Sequence, residues 1–265
     1  MKMNKTDIQD YKNESKKSYN LSEEDKRWWE KGRDLLLDLM CPRHCPICDG
    51  IVKIHSGYIC EKCIGKAIYL KEPTCLICGK ELKEDREEYC EDCKKHRHYF
   101  IQNFGCFEYA SVAESIYRYK YKGRQEYADY YAQEIVEQLG EVIMTIKPDA
   151  LIPVPIHKSK MRTRGFNQAE LIAKAIGKKM NIPVLTNYVV RVRKTTPQKE
   201  LSRIERQNNL KRAFKIAQND VKLNTIIVID DIYTTGSTID MVSQTCMDSG
   251  VKRVYGICLA IGRGI

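Results

Sequence analysis

Residues 224–238 read NTIIVIDDIYTTGST, and this stretch decides the fold. Ile226, Ile227, Val228 and Ile229 form an unbroken apolar, β-branched run. Such a run offers no polar face to water, so it predicts a strand buried on both sides, as in a parallel sheet. The segment STIDMVSQTCMDSG (237–250) then reads as a helix closed by Gly250. Between strand and helix lie Thr234, Thr235, Gly236, Ser237 and Thr238. Gly236 permits a tight turn, the N–H groups of 234–238 sit at a helix N-terminus, and the hydroxyls add donors, so the turn is an anion cradle. It contains no lysine and is not a Walker loop. Asp230 and Asp231 directly before it suit a sugar phosphate, because carboxylates accept hydrogen bonds from vicinal hydroxyls.

Outward from this point the pattern repeats. ALIPVP (150–155) and RVYGICLAI (253–261) predict further strands, and NQAELIAKAIGKKM (167–180) a helix started by Asn167 with Glu170 three residues on. Residues 108–146 read as helical, with Ile116, Ile135, Val136, Leu139 and Ile143 at three- and four-residue steps. Strands alternating with helices through short loops predict an α/β fold with a doubly wound parallel sheet.

The formal charge of +10 is regional. Residues 1–150 carry 25 basic and 27 acidic side chains, whereas 151–215 carry 16 and 3. A surplus this local points to an anionic partner rather than to a general solubility device. His157, Lys158, Lys160, Arg162 and Arg164 follow the IPVP strand, as cations for a phosphate-rich ligand. The polar stretch 191–209, RVRKTTPQKELSRIERQNN, reads as a binding loop or lid carrying Lys199, Arg203 and Arg206.

Nine of the twelve cysteines lie between Cys41 and Cys93. Cys45, Cys48, Cys60 and Cys63 recur thirty residues later as Cys75, Cys78, Cys90 and Cys93, each copy being two CxxC knuckles eleven residues apart. Such a repeat marks a duplicated unit. Two knuckles supply the four thiolates of a tetrahedral zinc site, and four cysteines leave no position for a reacting water, so one or two structural zinc ions are expected. Redox-active CxxC pairs and iron–sulfur ligation are the alternatives, and pairing between copies stays open, as do Cys41 and His44 as substitute ligands. Gly50 and Gly79, after the first knuckle of each copy, suit a left-handed residue. Residues 41–100 carry 11 basic and 10 acidic side chains, which makes no obvious DNA clamp. Cys106, Cys246 and Cys258 sit in apolar contexts and are expected in the core.

The first 20 residues are polar and mixed in charge, and a disordered tail is expected there. From Ser22 the run SEEDKRWWEKGRDLLLDLM predicts a helix with Leu35, Leu36 and Leu39 on its apolar edge and Trp28 and Trp29 as packing residues. The N-terminus lacks the apolar core of a secretory signal, and no apolar run is long enough to span a membrane, so a cytoplasmic protein is expected. The organisation read is a tail (1–20), a helix with a double zinc ribbon (21–100), and the α/β domain (101–265).

Strand–DD–x–x–TTGST resembles the phosphoribosyl pyrophosphate signature of type I phosphoribosyltransferases. By that resemblance Asp230 and Asp231 hold the ribose 2′- and 3′-hydroxyls, 234–238 hold the 5′-phosphate, and magnesium accompanies the pyrophosphate. LLLDLMCPRHCPIC, YKYKG (119–123), IPVP, RGFNQA, KTTPQKELSRIERQNN and DDIYTTGST, in this order, make residues 35–265 similar to the ComF family of competence-associated, phosphoribosyltransferase-like proteins. The doubled ribbon is fuller than that family's single finger. The resemblance implies phosphoribosyl transfer, with Lys199, Arg203 and Arg206 closing over the site, or ligand binding without turnover. It also implies single-stranded DNA and DNA-uptake helicase or processing proteins as partners. Phe166, Tyr119 and Tyr121 are candidates for base stacking.

Overall fold

A computed structural model of the protein describes residues 42–52, 57–192, 213–217 and 221–262. The tail, the helix expected from Ser22, Cys41, and the loop residues Lys199, Arg203 and Arg206 lie outside the described residues. In chain order the described elements are α1 (Glu91–Lys95), β1 (Asn103–Glu108), α2 (Tyr109–Tyr121), α3 (Tyr127–Ile146), β2 (Ala150–Pro153), α4 (Lys158–Arg164), α5 (Gln168–Met180), β3 (Val189–Arg191), β4 (Phe214–Ile216), β5 (Thr225–Tyr233), α6 (Ser237–Asp248) and β6 (Arg253–Ile261). The helical stretch expected over 108–146 is two helices, broken between Tyr121 and Tyr127.

The apolar run Ile226–Ile229 is fully buried because β5 is an inner strand of a four-stranded parallel sheet ordered β1-β6-β5-β2. Its side chains alternate between two cores. Ile227 and Ile229 join Ile135 of α3, Ile172 and Ile176 of α5, and Ile116 of α2. Ile226 and Val228 join Ile239 and Val242 of α6, with Val189 and Phe214. The last two come from β3 and β4, an antiparallel pair. Helices on both faces make the sheet doubly wound, and this is why β5 is wholly apolar between Thr225 and Asp230. Cys106, Cys246 and Cys258 are buried core residues, as expected. No described helix is long and apolar enough to cross a membrane.

The second cysteine repeat is joined to the sheet by backbone contacts. The Asn103 N–H donates to the Ile77 carbonyl at 2.7 Å, and Asn103 Nδ2 donates to the Cys78 carbonyl at 3.0 Å. A Cβ on Gly79 would lie 2.7 Å from the Asn103 carbonyl oxygen, and Gly79 has φ 74°, so glycine is required twice over. In the first repeat the left-handed residue is Asp49 (φ 62°), not Gly50. Asp49 holds the matching position after the knuckle and is fixed there by Tyr127 Oη, which donates to its Oδ1 at 2.6 Å.

Candidate functional site

Parallel strands present all their carboxyl ends on one edge, and there the chain can gather groups distant in sequence. Because β2 and β5 are neighbours, the turn after β5 and the basic segment after β2 start from the same edge. β5 runs on past Asp230 to Tyr233, so Asp230 and Asp231 belong to the strand rather than to the turn. A shallow concavity is lined by Asp230, Tyr233, Thr234, Thr235, Gly236 and Ser237. Gly236 caps α6 with φ 75°, and a Cβ on it would lie 2.2 Å from Tyr233 Oη. Any other residue would therefore strain the backbone and displace the tyrosine. Thr235 Oγ1 and Ser237 Oγ are 2.9 Å apart, and the Asp240 N–H closes the first helical turn on the Gly236 carbonyl at 2.9 Å. The first N–H groups of a helix have no partner within it, so those at this start could serve as donors to an anion.

The two acids differ in environment. Asp231 is paired with Lys120 at 2.8 Å, each side chain 14 % exposed. Asp230 accepts the Asp231 N–H at 2.9 Å. Its carboxyl is pushed up to about 7, first by loss of solvation and then by the Asp231 charge, with the Asp231 N–H, Lys120 and Arg191 opposing. At neutral pH this group is poised between acid and carboxylate, so a ligand bringing hydroxyl donors or a cation would draw it to the charged form.

Lys120 and Arg191 are the residues that sequence reasoning did not place. The signal was there: Lys120 lies within YKYKG, and Arg191 opens the basic stretch 191–209. Burial holds the Arg191 guanidinium below its ordinary value while the Asp230 charge raises it, and its Cζ stands 5.4 Å over the Phe214 ring.

Of the cations expected after IPVP, Arg164 is tied down. It donates to Gln168 Oε1 at 2.9 Å and to Tyr121 Oη at 2.9 Å, and its Cζ lies 4.8 Å over the Tyr121 ring. Lys160 is held below the usual lysine range by loss of solvation and then by Arg164 and Arg191. Lys158 and Arg162 are exposed. The start of α5 departs from expectation: Asn167 makes no capping bond, and its Nδ2 donates instead to the Val154 carbonyl at 3.0 Å. The amide is drawn to the end of β2, fixing the loop that carries α4. Tyr119 and Phe166 are buried, with Tyr119 Oη donating to the Gln168 carbonyl. Of the three expected stacking residues only Tyr121 is exposed, at 53 %.

The cysteines form two tetrads within the repeats, Cys45, Cys48, Cys60, Cys63 and Cys75, Cys78, Cys90, Cys93, all Sγ atoms of each within 4.8 Å of one another. This settles the pairing left open above. A tetrahedron with Zn–S of about 2.3 Å places sulfurs roughly 3.8 Å apart. The observed Cys48–Cys60 and Cys78–Cys90 separations are 3.7 and 3.6 Å, so the donor set fits structural zinc. His44 is not a substitute ligand: its Nδ1 faces Arg124 at 3.1 Å. The first tetrad is braced by Arg118, which donates to the Ile47 carbonyl at 2.6 Å, and by the Arg124–Asp49 pair at 2.8 Å. A cavity of about 620 Å³ opens beside the second tetrad, lined by Leu70, Lys80, Leu82, Glu91, Glu108 and Ile261.

Residues 36–94 match the double zinc ribbon domain family. Competence protein F of Haemophilus influenzae is 29% identical over 226 residues, covering 77% of this chain and 98% of that protein. Competence protein ComFC of Bacillus subtilis is 25% identical, covering 72% and 79%. DNA utilization protein YhgH of Escherichia coli K12 is 25% identical, covering 83% and 98%. Among solved structures, a purine phosphoribosyltransferase from Pyrococcus horikoshii matches with TM-score 0.32 and 16% identity, over 50% of this chain and 73% of that one. The ComF resemblance is thus borne out: over most of its length the chain is a homologue of competence protein F, ComFC and YhgH, with a double zinc ribbon at its front.

Proposed function

We propose that this protein binds phosphoribosyl pyrophosphate with magnesium at the carboxyl end of β5 and acts in the handling of single-stranded DNA. The observation that carries the reading is the pair Asp230–Asp231 near the carboxyl end of the inner strand β5, two residues before a cradle of N–H groups and hydroxyls at the start of α6. Asp230 and Asp231 would accept the ribose hydroxyls, with the Lys120 ammonium turning from Asp231 toward the ligand. Thr234, Thr235, Gly236, Ser237 and Thr238 would hold the 5′-phosphate. The cations of α4 and the stretch 191–209 would neutralise the pyrophosphate alongside magnesium. The names of the relatives, competence and DNA utilization proteins, support the DNA role, and with it we place the protein in the cytoplasm among DNA-uptake helicase or processing proteins.

The reaction such a site supports is pentosyl transfer. The bond from ribose C1 to pyrophosphate breaks, magnesium pyrophosphate leaves with the electron pair, and an acceptor nucleophile forms the new bond at C1. Lys199, Arg203 and Arg206 would close over this step and exclude water. The second reading, binding without turnover, is favoured by one feature. Among the described residues at this edge, the groups that approach Asp230 and Asp231 are cations, not a base for an acceptor. Calorimetric titration of the full chain with magnesium phosphoribosyl pyrophosphate tests the binding reading. Asp230→Asn with Asp231→Asn should abolish binding while the fold persists, and unchanged affinity would remove the ribose assignment.

A further inference from the structure

Cys93 Sγ, in the second tetrad, lies 3.6 Å from His98 Nε2. The other ring nitrogen of His98 lies 3.5 Å from Asp240 Oδ1 without a hydrogen bond, with the two side chains 10 % and 22 % exposed. The same carboxylate oxygen accepts the Tyr99 N–H at 2.6 Å. Asp240 stands in the first turn of α6, and its own N–H closes that turn on Gly236. A parallel route runs through rings: His98 stacks on Phe100 at 4.7 Å, and Phe100 meets Tyr233 edge-on at 6.4 Å. The Tyr233 hydroxyl in turn fills the space over Gly236. Both routes begin at a cysteine of one ribbon and end on the residue about which the anion cradle turns. The first ribbon makes no such approach among the described contacts; its braces, Arg118 and Arg124, lead to α2 and the turn after it.

We propose that the second ribbon is a strut for the phosphate cradle, with His98 and Asp240 as positioning residues, so that filling the second cysteine tetrad sets the geometry of residues 234–240. The proposal deepens the sugar-phosphate reading and rests on it for the identity of the ligand. The physical need is specific. A carboxylate in a first turn stabilises the helix, but it competes with a bound anion for the positive end of the same dipole. Holding Asp240 on the Tyr99 N–H, with the His98 ring packed beside it, draws its charge toward the ribbon and leaves the N–H groups of the turn to a phosphate. A histidine beside a metal-bound thiolate is a common outer partner that fixes ligand orientation. Here the same ring reaches an element outside the metal site. A second copy of the zinc repeat then has a task that a lone ribbon braced on α2 does not perform.

The test uses the full chain loaded with zinc. Affinity for magnesium phosphoribosyl pyrophosphate is read by calorimetry, zinc per chain by elemental analysis, and opening of residues 234–240 by hydrogen exchange. His98→Ala and Asp240→Ala should keep two zinc ions, weaken binding roughly tenfold as a displaced loop does, and speed exchange in the cradle. Asp240→Asn, whose amide oxygen still accepts the Tyr99 N–H, should restore most of the affinity. Wild-type affinity and exchange in both alanine variants would overturn the strut. Should the unaltered protein not bind the ligand at all, the sugar-phosphate reading fails, but the exchange arm still decides the strut. Cys93→Ser must then open residues 234–240 while Cys63→Ser leaves them closed, and equal effects of the two would refute it.

Discussion

Asp230→Asn should make the free protein more stable at pH 8 while removing its ligand. The folded-state carboxyl stands at about 7 against an ordinary 3.8. The sign follows from proton counting. Between these values the folded protein holds a proton that the unfolded chain has released, so stability falls as pH rises through the window and the full loss stands above pH 7. A shift of about 3 units corresponds to about 4 kcal/mol. Asp230 keeps some exposure to solvent, which discounts this to about 2 kcal/mol. Asparagine cannot ionise, and its Oδ1 still accepts the Asp231 N–H seen at 2.9 Å, so the variant escapes the loss without breaking a local contact. For a chain of this size about 2 kcal/mol is roughly 4–8 °C in Tm. Thermal unfolding of zinc-loaded protein at pH 8 should show a gain of that order, shrinking by about half at pH 5.5 as the wild-type carboxyl recovers its proton. An asparagine variant no more stable than wild type at pH 8, or a gain that does not shrink on acidification, would refute the argument that burial beside Asp231 stores this energy. It would also remove the idea that the ligand is what the strained carboxylate is kept for.

Gly236→Ala should cost about 1–3 kcal/mol of stability from its positive φ alone, and it should abolish phosphate binding because the new Cβ displaces Tyr233; calorimetry and unfolding together check both. Lys120→Ala leaves Asp231, 14 % exposed, without its partner beside a second carboxyl. Affinity for the magnesium ligand should fall roughly tenfold, and a Tm loss of a few degrees should be smaller at pH 5.5 than at pH 8, since protonating Asp230 relieves the repulsion. Affinity equal to wild type would take Lys120 out of the site.

The strand at 225–233 and the cradle after it were legible because burial on both faces demands an apolar run and because the turn needs glycine and hydroxyls. The cysteine repeat was legible for a like reason: a tetrahedral metal fixes the spacing of its ligands, and spacing is what a sequence displays. β3 and β4 were not legible at three residues each, because strands so short carry no usable period and form only against partners distant in the chain; β1 is six residues but mixes buried and half-buried positions without alternation, so it showed no period either. The same limit hid the groups facing the acids. Lys120 belongs to a helix ending at Tyr121, and nothing in its neighbourhood tells a lysine paired with a distant aspartate from one in solvent. The Asn167 cap failed for a related reason. Capping needs Oδ1 turned to the first N–H groups of α5, but Nδ2 anchors the amide on the Val154 carbonyl, which also pins the loop after β2, and Oδ1 is left without a partner.

These hidden contacts bear on how the two halves came to share one chain. The residues that touch Asp231 and Asp240 come from two segments, 98–99 directly after the second ribbon and 109–121 directly after β1. A zinc module held only by its cysteines would need none of them, and an α/β domain with its own cradle would need no ribbon. Instead the first ribbon is pinned by Arg118 on the helix that carries Lys120. The second is pinned through His98 to the helix whose start forms the cradle. Each tetrad thus leans on an element that carries a different half of the proposed site, the helix of Lys120 beside the ribose acids for one and the helix that starts at the 5′-phosphate cradle for the other. Chelation of zinc from the intact protein should therefore reduce ligand affinity before it unfolds the sheet. A metal-free protein with native affinity would mean that the ribbons serve a partner and not the site.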